Sequence, residues 1–414
     1  MDKDTTKSTL SEWFSLLDTD AMLRDVVQLG LDKYTKKLDC IKFIRLLIFA
    51  QVKQIASLTD ISAELNETEQ LQRELGLSSI SKSQLSRKLR GLDPAFLQSI
   101  FQRCVDQIVK AYGFKAATEK LGRINLVDSS TITMALSQYP WAQFRKSRAG
   151  VKLHLRLAFW DGLAYPDKAV MTPAKPADRS QMDNLVVNEP GALNLFDRGY
   201  TDYKKFDEYC STGVRFITRL RENAGILEVY EERPVKAGSP VLRDAVVRLG
   251  SSFRSTTNPV RWIEILDDEG NRIIILTNDL SLDVQEVCDL YRKRWRIEIF
   301  FKWIKQHLQL KRLYGQSENA VYNQLWIALI TYCQLVLLQR KVKHNRTLLD
   351  VYKCLRRHWE KALGEFLYYL NPPPSRQSKG RKSVDHGRMF AWTLQQYEDG
   401  DTEHLDGGEY GLMI

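Results

Sequence analysis

The sequence predicts an α/β protein in which a mixed sheet, interrupted by a β-rich insertion, follows an α-helical N-terminal domain. Three observations support this fold class. Apolar residues recur at helical spacing early in the chain, short alternating segments begin near residue 123, and further alternating segments come before a final helical part. We therefore predict a helical domain at 1–120, a core in two parts at 121–221 and 284–370, the insertion at 222–283, and a mobile tail at 371–414.

The N-terminal segment contains a short motif typical of DNA-reading helices. Residues 40–54 have apolar residues at helical spacing, and Asp93 and Pro94 begin another helix, since Pro is favoured in a first turn. Between them, residues 79–92 resemble the second half of a helix-turn-helix. In this motif Ser81 would cap a helix that exposes Lys82, Gln84, Arg87 and Lys88. The motif fits DNA-end binding and a solvated basic face of a bundle helix equally well.

Two acidic residues end short apolar strands in the first half of the core. Residues 124–128 end in Asp128, and residues 192–197 end in Asp197. Between them, residues 150–160 alternate strictly and come before a hairpin signal at Asp161 and Gly162. Lys152, His154 and Arg156 share the polar face of this strand and are expected to cover the sheet. Because acids at strand ends of α/β sheets often carry chemistry, Asp128 and Asp197 are candidate site residues.

A long helix is predicted from Val284 to about Leu310, after inserted strands that should form a sheet of their own. At about 100° per residue, four of its polar residues fall within a sector of about 60°. They are Tyr291, Arg294, Glu298 and Lys305. This face fits a metal-bound carboxylate flanked by phosphate-binding groups. Taken alone it fits better an ordinary i,i+4 ion pair between Arg294 and Glu298.

Asp128, Asp197 and Glu298 together favour the first interpretation. Carboxylates from two strands and a helix can enclose Mg²⁺, which prefers oxygen ligands. Without a cation, three nearby carboxylates would repel each other and raise each other's pKa. Two ions about 3.5–4 Å apart can activate the attacking oxygen and stabilise the leaving oxygen of a phosphoryl transfer.

The helix pattern Y-(2)-R-(3)-E-(6)-K resembles the signature of one branch of the DDE insertion-sequence transposases. Residues 127–131 are similar to the first Asp block of that family, and residues 196–200 to the second. The resemblance covers about residues 120–340 and implies a ribonuclease-H-like core with a β-rich insertion before the catalytic Glu.

The resemblance also implies a role for each candidate residue. Asp128, Asp197 and Glu298 would bind two Mg²⁺ ions, for which Mn²⁺ can substitute. Tyr291, Arg294 and Lys305 would hold phosphates near the scissile bond, and Arg198 would contact the DNA backbone. Water would free a 3′-OH at the element end, which is then joined to target DNA, with or without a hairpin intermediate. The implied partners are double-stranded DNA at element ends and target, and a second copy in a homodimeric synaptic complex.

Composition agrees with a DNA partner but does not require one. The net charge is +10 and the pI about 9.1, with basic clusters at 145–156 and 376–388. The six cysteines form no CxxC pair, and residues 1–11 lack a secretory signal, so a cytoplasmic protein is expected. The resemblance implies a bacterial host and association with the nucleoid when the protein is bound to DNA. Residues 320–339 lack charge but contain amides, which predicts a buried helix and no membrane span.

Two alternatives and one departure from the family stay open. A ribonuclease-H-like nuclease that cuts without joining would share all three acids. A domesticated, non-catalytic DNA-binding protein would be expected to have lost one of them. Family members often carry a Trp shortly before the Glu helix to stack on a flipped base. In the insertion there is only Trp262, 36 residues before Glu298 (298 − 262 = 36), in a segment that fits a core strand.

Overall fold

The computed structural model describes residues 7–112, 122–160, 163–236, 238–267, 269–342 and 346–372. Helices fill the part before residue 113, which confirms the predicted helical N-terminal segment. They are α1 (Thr9–Phe14), α2 (Thr19–Gln28), α3 (Cys40–Lys53), α4 (Leu58–Glu67), α5 (Glu69–Leu75), α6 (Lys82–Gly91) and α7 (Pro94–Tyr112).

The helix α6 begins as the sequence predicts. Ser81 and Gln84 form a reciprocal capping box, while Leu85 and Leu89 are buried on the inner face. Of the basic residues expected on its outer face, Lys82 and Arg87 are exposed. Lys88 is not free, because its ammonium lies 2.6 Å from the Asp32 carboxylate.

One large mixed sheet forms the centre of the protein, which confirms the predicted α/β fold class. Its strands are β1 (Ile124–Ala135), β2 (Gln143–Arg145), β3 (Arg148–Trp160), β4 (Leu163–Pro173), β5 (Leu193–Phe196), β6 (Arg215–Leu220), β7 (Ile226–Glu232), β8 (Val241–Ser251), β9 (Arg254–Ser255), β10 (Val260–Leu266) and β11 (Arg272–Thr277). The order is β2-β3-β1-β5-β6-β11-β10-β8-β7, with β4 paired to β3 and β9 paired to β8. The strands β1, β5 and β6 are mutually parallel, and the pairs β1–β3 and β3–β4 are antiparallel. The short helix α8 (Met182–Leu185) comes before β5, and α9 (Tyr203–Thr212) connects β5 to β6.

The strand β1 does not end at Asp128, so this part of the prediction is wrong. β1 pairs with β3 along its whole length, and Asp128 is opposite Leu155 in that register. Its pairing with β5 is shorter and stops at Val127 and Phe196. Asp128 therefore lies in the middle of its own strand but at the point where the parallel neighbour ends.

The inserted strands do not form a sheet of their own, contrary to the prediction. β11 pairs antiparallel with β6, with Thr277 opposite Ile217, and β10, β8 and β7 continue outward from it. The insertion is thus hydrogen-bonded into the core sheet. The local sequence pattern shows which residues form strands but not which strand is the neighbour, because that pairing joins residues distant in the chain.

The C-terminal part is helical, with α10 (Val284–Lys293), α11 (Trp295–His307), α12 (Glu318–Lys341), α13 (Leu348–His358) and α14 (Leu363–Leu370). The single long helix predicted from Val284 is in fact two helices that meet at Arg294. There the backbone N–H of Arg294 bonds to the carbonyl of Tyr291, three residues back, which tightens the turn.

The helix α12 is the one described helix with the length and composition to cross a membrane, and 94% of its apolar window is buried inside the protein. This agrees with the predicted buried helix at residues 320–339. It packs on α3, α6 and α7, and the Asn323 amide donates to the carbonyls of Leu89 (2.9 Å) and Leu92 (2.8 Å).

The N-terminal and C-terminal helices share one hydrophobic core. The Thr9 N–H also donates to the Lys361 carbonyl at 2.7 Å, and the Tyr352 hydroxyl to the Val52 carbonyl at 3.2 Å. These contacts do not separate the predicted segments 1–120, 121–221, 222–283 and 284–370 from one another, so their boundaries stay a prediction. The mobility predicted for the tail, and its basic cluster at 376–388, fall outside the described residues.

Candidate active site

Two of the three predicted acids lie side by side where β5 ends. In the parallel pair of β1 and β5, the last partners are Val127 and Phe196. The next residues are Asp128 and Asp197, on strands that are spaced by about 4.8 Å. The Asp197 carboxylate accepts the Gly199 N–H at 2.8 Å, because the chain turns sharply into a 3-10 helix after β5. The end of this strand therefore brings both carboxylates to one edge.

The third acid, Glu298 on α11, is connected to the same edge by Arg294, which contacts both Glu298 and Asp128. One guanidinium nitrogen of Arg294 lies 2.6 Å from the Glu298 carboxylate, and the other lies 3.7 Å from that of Asp128. The ion pair expected from i,i+4 spacing is therefore present. It is part of a larger cluster, since the same guanidinium contacts an acid from the sheet.

The electrostatics of Asp128 set it apart from an ordinary paired carboxylate. Burial and then the charge of Asp197 raise its pKa to about 7, with Glu298 adding to this. The Ser129 N–H, at 2.7 Å, and the Arg294 guanidinium act in the opposite direction. The protein's own donors thus do not fully offset the repulsion among the acids, and a cation would favour the charged form of Asp128.

The carboxylates of Asp128, Asp197 and Glu298 are suitable ligands for a hard divalent cation. The Arg294 guanidinium, however, lies between those of Asp128 and Glu298. All three side chains offer only carboxylate oxygens, which Mg²⁺ prefers. Among the residues that the structure describes, no three His, Cys, Asp or Glu side chains are grouped closely enough to hold an ion as they stand. Binding of an ion by all three acids would therefore require the side chains of this cluster to rearrange.

The other predicted helix residues surround these acids. The Arg294 guanidinium lies 5.8 Å from the centroid of the Tyr291 ring. Burial raises the pKa of the Tyr291 hydroxyl, and Arg294 lowers it in part. The Lys305 ammonium donates to the Ser130 hydroxyl at 2.5 Å, and burial lowers its pKa. Tyr291, Arg294 and Lys305 thus lie near the acids, although they come from two helices that meet at Arg294 and not from the single predicted helix.

Arg198 follows Asp197 and is exposed. Unlike Arg294, it makes no ion pair with any carboxylate in the described part of the chain. It lines an open cleft beside the site instead.

One residue near the site, Asp178, was not identified from the sequence. Its carboxylate accepts from the Ser129 hydroxyl at 2.7 Å and lies 3.0 Å from the Lys152 ammonium and 3.8 Å from Nδ1 of His154. It therefore braces the residue that follows Asp128. It begins the short 3-10 helix Asp178–Gln181, and no sequence motif marks it, so only the fold reveals this role.

The polar face of β3 lies inside the protein, covered by other residues. His154 is fully buried, and burial lowers its pKa to about 4. Arg156 forms a two-point ion pair with Asp167, at 2.9 and 3.0 Å. As expected, Trp262 is a core residue: it is 2% exposed, and its indole N–H donates to Glu264 at 2.7 Å.

Comparison with known proteins adds independent findings. The family model described as "Transposase DDE domain" matches residues 119–334. A domain of unknown function (DUF4372) matches residues 5–78.

Three curated relatives align with the chain. A probable transposase for insertion sequence element IS5377 from Geobacillus stearothermophilus is 32% identical over 50% of this chain and 55% of its own length. A putative transposase, y4zB, from Sinorhizobium fredii is 31% identical over 66% of this chain and 78% of its own. A putative transposase for element IS4SA from Synechocystis is 27% identical over 39% and 46%. The chain thus spans about half the length of the first and third relatives.

Among solved structures, a cryo-EM structure of the piggyBac transposase synaptic complex with hairpin DNA aligns with a TM-score of 0.46 and 10% identity. The alignment covers 91% of this chain and 84% of that one.

Proposed function

Because the chain belongs to the DDE transposases, we propose that it cuts DNA at the ends of an insertion sequence and joins the freed 3′-OH to target DNA. DDE transposase domains use divalent metal ions. We assign the chain to the branch with the Y-(2)-R-(3)-E-(6)-K signature, and its place of action to the nucleoid of a bacterial cytoplasm. The assembly that joins two element ends is proposed to be a homodimer.

The observation that carries this proposal is the convergence of three acids from β1, β5 and α11. Asp128 and Asp197 follow the last paired residues of two parallel strands, and Arg294 connects Asp128 to Glu298. No single local pattern would gather these residues. Their meeting at one edge supports Asp128, Asp197 and Glu298 as the ligands of two Mg²⁺ ions, or of Mn²⁺.

The mechanism follows from what these side chains can hold. When bound, the two ions would supply activation of the attacking oxygen and stabilisation of the leaving one. Arg294 and Lys305 provide positive charge on either side of Glu298 and orient the scissile phosphate by charge-assisted hydrogen bonds. Tyr291 packs against Arg294 and limits its movement. Lys305, anchored on Ser130, holds α11 at the sheet edge as well.

The N-terminal helices are proposed to bind the element ends. A cavity of 520 Å³ lies between α6 and the loop before α3, and its lining contains Lys36, Lys37 and Arg87. These cations, together with the exposed Lys82, make this surface suited to a phosphate backbone. Lys88 also lines this cavity, but it forms an ion pair with Asp32. The residues proposed to contact DNA are therefore Lys36, Lys37, Lys82 and Arg87.

The test of function uses the three acids. We expect Asp128→Asn, Asp197→Asn and Glu298→Gln each to lower Mg²⁺-dependent cleavage of a labelled element-end duplex at least about a hundredfold, since metal stabilisation of the transition state is worth several kcal/mol. Binding of the same duplex should stay within about twofold, because phosphate contacts supply most of the affinity. Glu228→Gln, an exposed acid on β7, is the matched control. Near-normal cleavage by any of the three variants would remove that residue from the ligand set.

Joining separates the proposed transposase from its rivals. A duplex with a free 3′-OH at the element end is incubated with supercoiled plasmid and Mg²⁺. Plasmid molecules linked to the labelled end are the expected products. Cleavage without such products would identify a nuclease, and binding without either reaction would identify a non-catalytic DNA-binding protein.

A further inference from the structure

A cleft of 570 Å³ next to the proposed catalytic edge contains four arginines. They are Arg179, Arg198, Arg221 and Arg254. Arg179 lies in the 3-10 helix Asp178–Gln181, Arg198 follows Asp197, Arg221 follows β6, and Arg254 begins β9. The core and the insertion therefore both contribute, and only the folded chain brings the four together.

The charges of this arginine cleft are largely uncompensated. Arg179, Arg198 and Arg221 have no carboxylate within ion-pair distance anywhere in the residues the structure describes. Arg254 has only Asp202, at 3.9 Å, and its guanidinium lies 5.3 Å from the centroid of the Tyr203 ring. All four side chains are exposed. Four like charges around one concavity repel each other and create a strong positive potential, which favours a polyanionic occupant.

The backbone lining the cleft leaves room for such an occupant. Gly199, Gly225 and Gly250 are part of the lining. Gly250 has a φ of +122°, and a Cβ there would lie 2.1 Å from the Arg254 carbonyl, so no side chain can project from this position. The three glycines add no side chains to the lining of the cleft, and Gly250 is required by the close approach of the backbone at Arg254, one of the four arginines.

We propose that the arginine cleft binds the phosphodiester backbone of a DNA strand as it passes Asp197. A guanidinium can bind two phosphate oxygens at once, which suits Arg better than Lys for this task. Arg198 connects the cleft to the catalytic edge, because it directly follows Asp197 in the chain. The inference rests on the proposed function, since it assigns the occupant to the DNA that the site acts on. That DNA comes from the element end or from the target.

The first measurement needs no chemistry. Binding of the full chain to a 30-bp duplex of arbitrary sequence is followed over a range of salt concentrations. Each lost phosphate contact should reduce the slope of log K against log salt by about 0.9, so the double variant Arg221→Gln/Arg254→Gln should lose about 1.8. The matched control is Arg356→Gln/Arg357→Gln. These two are exposed arginines on α13, and their loss should leave the slope unchanged.

The double variant Arg221→Lys/Arg254→Lys should recover the slope, because the charges are restored. A wild-type slope in the Gln variant, or an equal loss in the control, would overturn the proposal. This holds whether or not the chain cuts DNA, so the cleft and the proposed function fail separately.

Two reactions then identify the source of the strand. If the cleft holds element-end DNA, the Gln variant should cut the end duplex about tenfold or more slowly, as two charge-assisted contacts are worth more than 1.4 kcal/mol together. If it holds target DNA, cutting should be normal, and joining of a pre-cleaved end to plasmid should fall by a similar factor. Normal rates in both reactions would exclude a strand near Asp197 and overturn the proposal.

Discussion

The buried charges of the insertion differ from those of the catalytic edge in how completely they are paired. In the insertion, Asp244 and Arg261 are both 3% exposed and form a two-point ion pair at 2.8 and 2.7 Å. Near its end, Asp279 accepts from the Ser281 hydroxyl at 2.7 Å and from Arg215. Burial raises the pKa of Asp279, but these hydrogen bonds lower it by a larger amount, so the pKa is below its usual value.

At the catalytic edge the balance is reversed. The Asp128 side chain is 16% exposed, against 5% for Asp279, yet its pKa is raised to about 7. Burial raises the pKa of both carboxylates and is the largest cause at Asp128. At Asp279 the hydrogen bonds outweigh burial, whereas at Asp128 the charges of Asp197 and Glu298 add to it and the Ser129 N–H and Arg294 offset it only in part. Fully paired buried charges stabilise the fold, whereas an incompletely paired set of carboxylates favours the binding of a cation.

The largest effect expected from this comparison is on stability in the insertion. Asp244→Ala would leave Arg261 buried without its partner, which should lower the free energy of unfolding by about 3–5 kcal/mol. Chemical denaturation followed by circular dichroism measures this. Arg243→Ala removes the partner of the exposed Glu232 in the same region and should change the free energy of unfolding much less, because this pair is open to solvent. Equal losses in both variants would remove the distinction between the buried and the exposed pair.

A smaller effect, on activity, is expected from Arg294. Arg294→Ala should slow joining of a pre-cleaved end by roughly 10- to 100-fold, since a hydrogen bond to a charged group is worth about 1.5–3 kcal/mol. Lys should replace Arg294 less well than Arg replaces Lys305, because only a guanidinium contacts two acceptors at once. As control, Arg272→Ala breaks the pair with Glu264 in the insertion and should leave joining unchanged.

The same experiment decides whether Arg294 has only a structural role. An isolated i,i+4 pair contributes about 0.3–0.5 kcal/mol to helix stability and nothing to chemistry. Normal joining by Arg294→Ala, together with a slightly lower melting temperature, would give Arg294 that role alone.

The last effect is a pH-dependent difference in melting temperature. Because the pKa of Asp128 rises from 3.8 to about 7 on folding, the native state binds the proton more tightly than the unfolded chain. The contribution of Asp128 to the free energy of unfolding is therefore fully present below pH 3.8 and is lost as the pH rises towards 7. In chelator, Asp128→Asn should become more stable than the wild type by a few degrees over this interval. Added Mg²⁺ should raise the melting temperature of the wild type only. A pH-independent gap would contradict the raised pKa.

The sequence predicts those features that depend on local patterns. The capping residues Ser81 and Gln84, the alternation of β3 and the burial of α12 all follow from spacing and residue type. The helical spacing of Tyr291, Arg294, Glu298 and Lys305 also follows from the sequence, but the break at Arg294 does not, so Tyr291 lies on α10 and Glu298 and Lys305 lie on α11. The assignment of these residues and of Arg198 to DNA stays a prediction.

The remaining features depend on pairing between distant segments. After Asp128 the residues become polar, and this change resembles a strand end. In fact β1 continues because β3 pairs with it up to Ala135. The hydrogen bonding of β11 to β6 and the gathering of Arg179, Arg221 and Arg254 have the same origin. So does Asp178, whose importance comes from contact with Ser129, 49 residues away.

The hydrophobic core that the N-terminal and C-terminal helices share has a consequence during synthesis. The helix α12 packs on both α3 and α7, and it begins 265 residues after α3 ends (318 − 53 = 265) and 206 residues after α7 ends (318 − 112 = 206), so the apolar faces that it covers stay exposed until the ribosome has made those residues. At about 5–20 residues per second, this takes on the order of tens of seconds. A polypeptide that stops after Glu298 would lack α12 and leave those faces exposed to chaperones and proteases. Premature termination should thus yield a degraded fragment, and no stable N-terminal fragment would accumulate to occupy the element ends in place of the full-length protein.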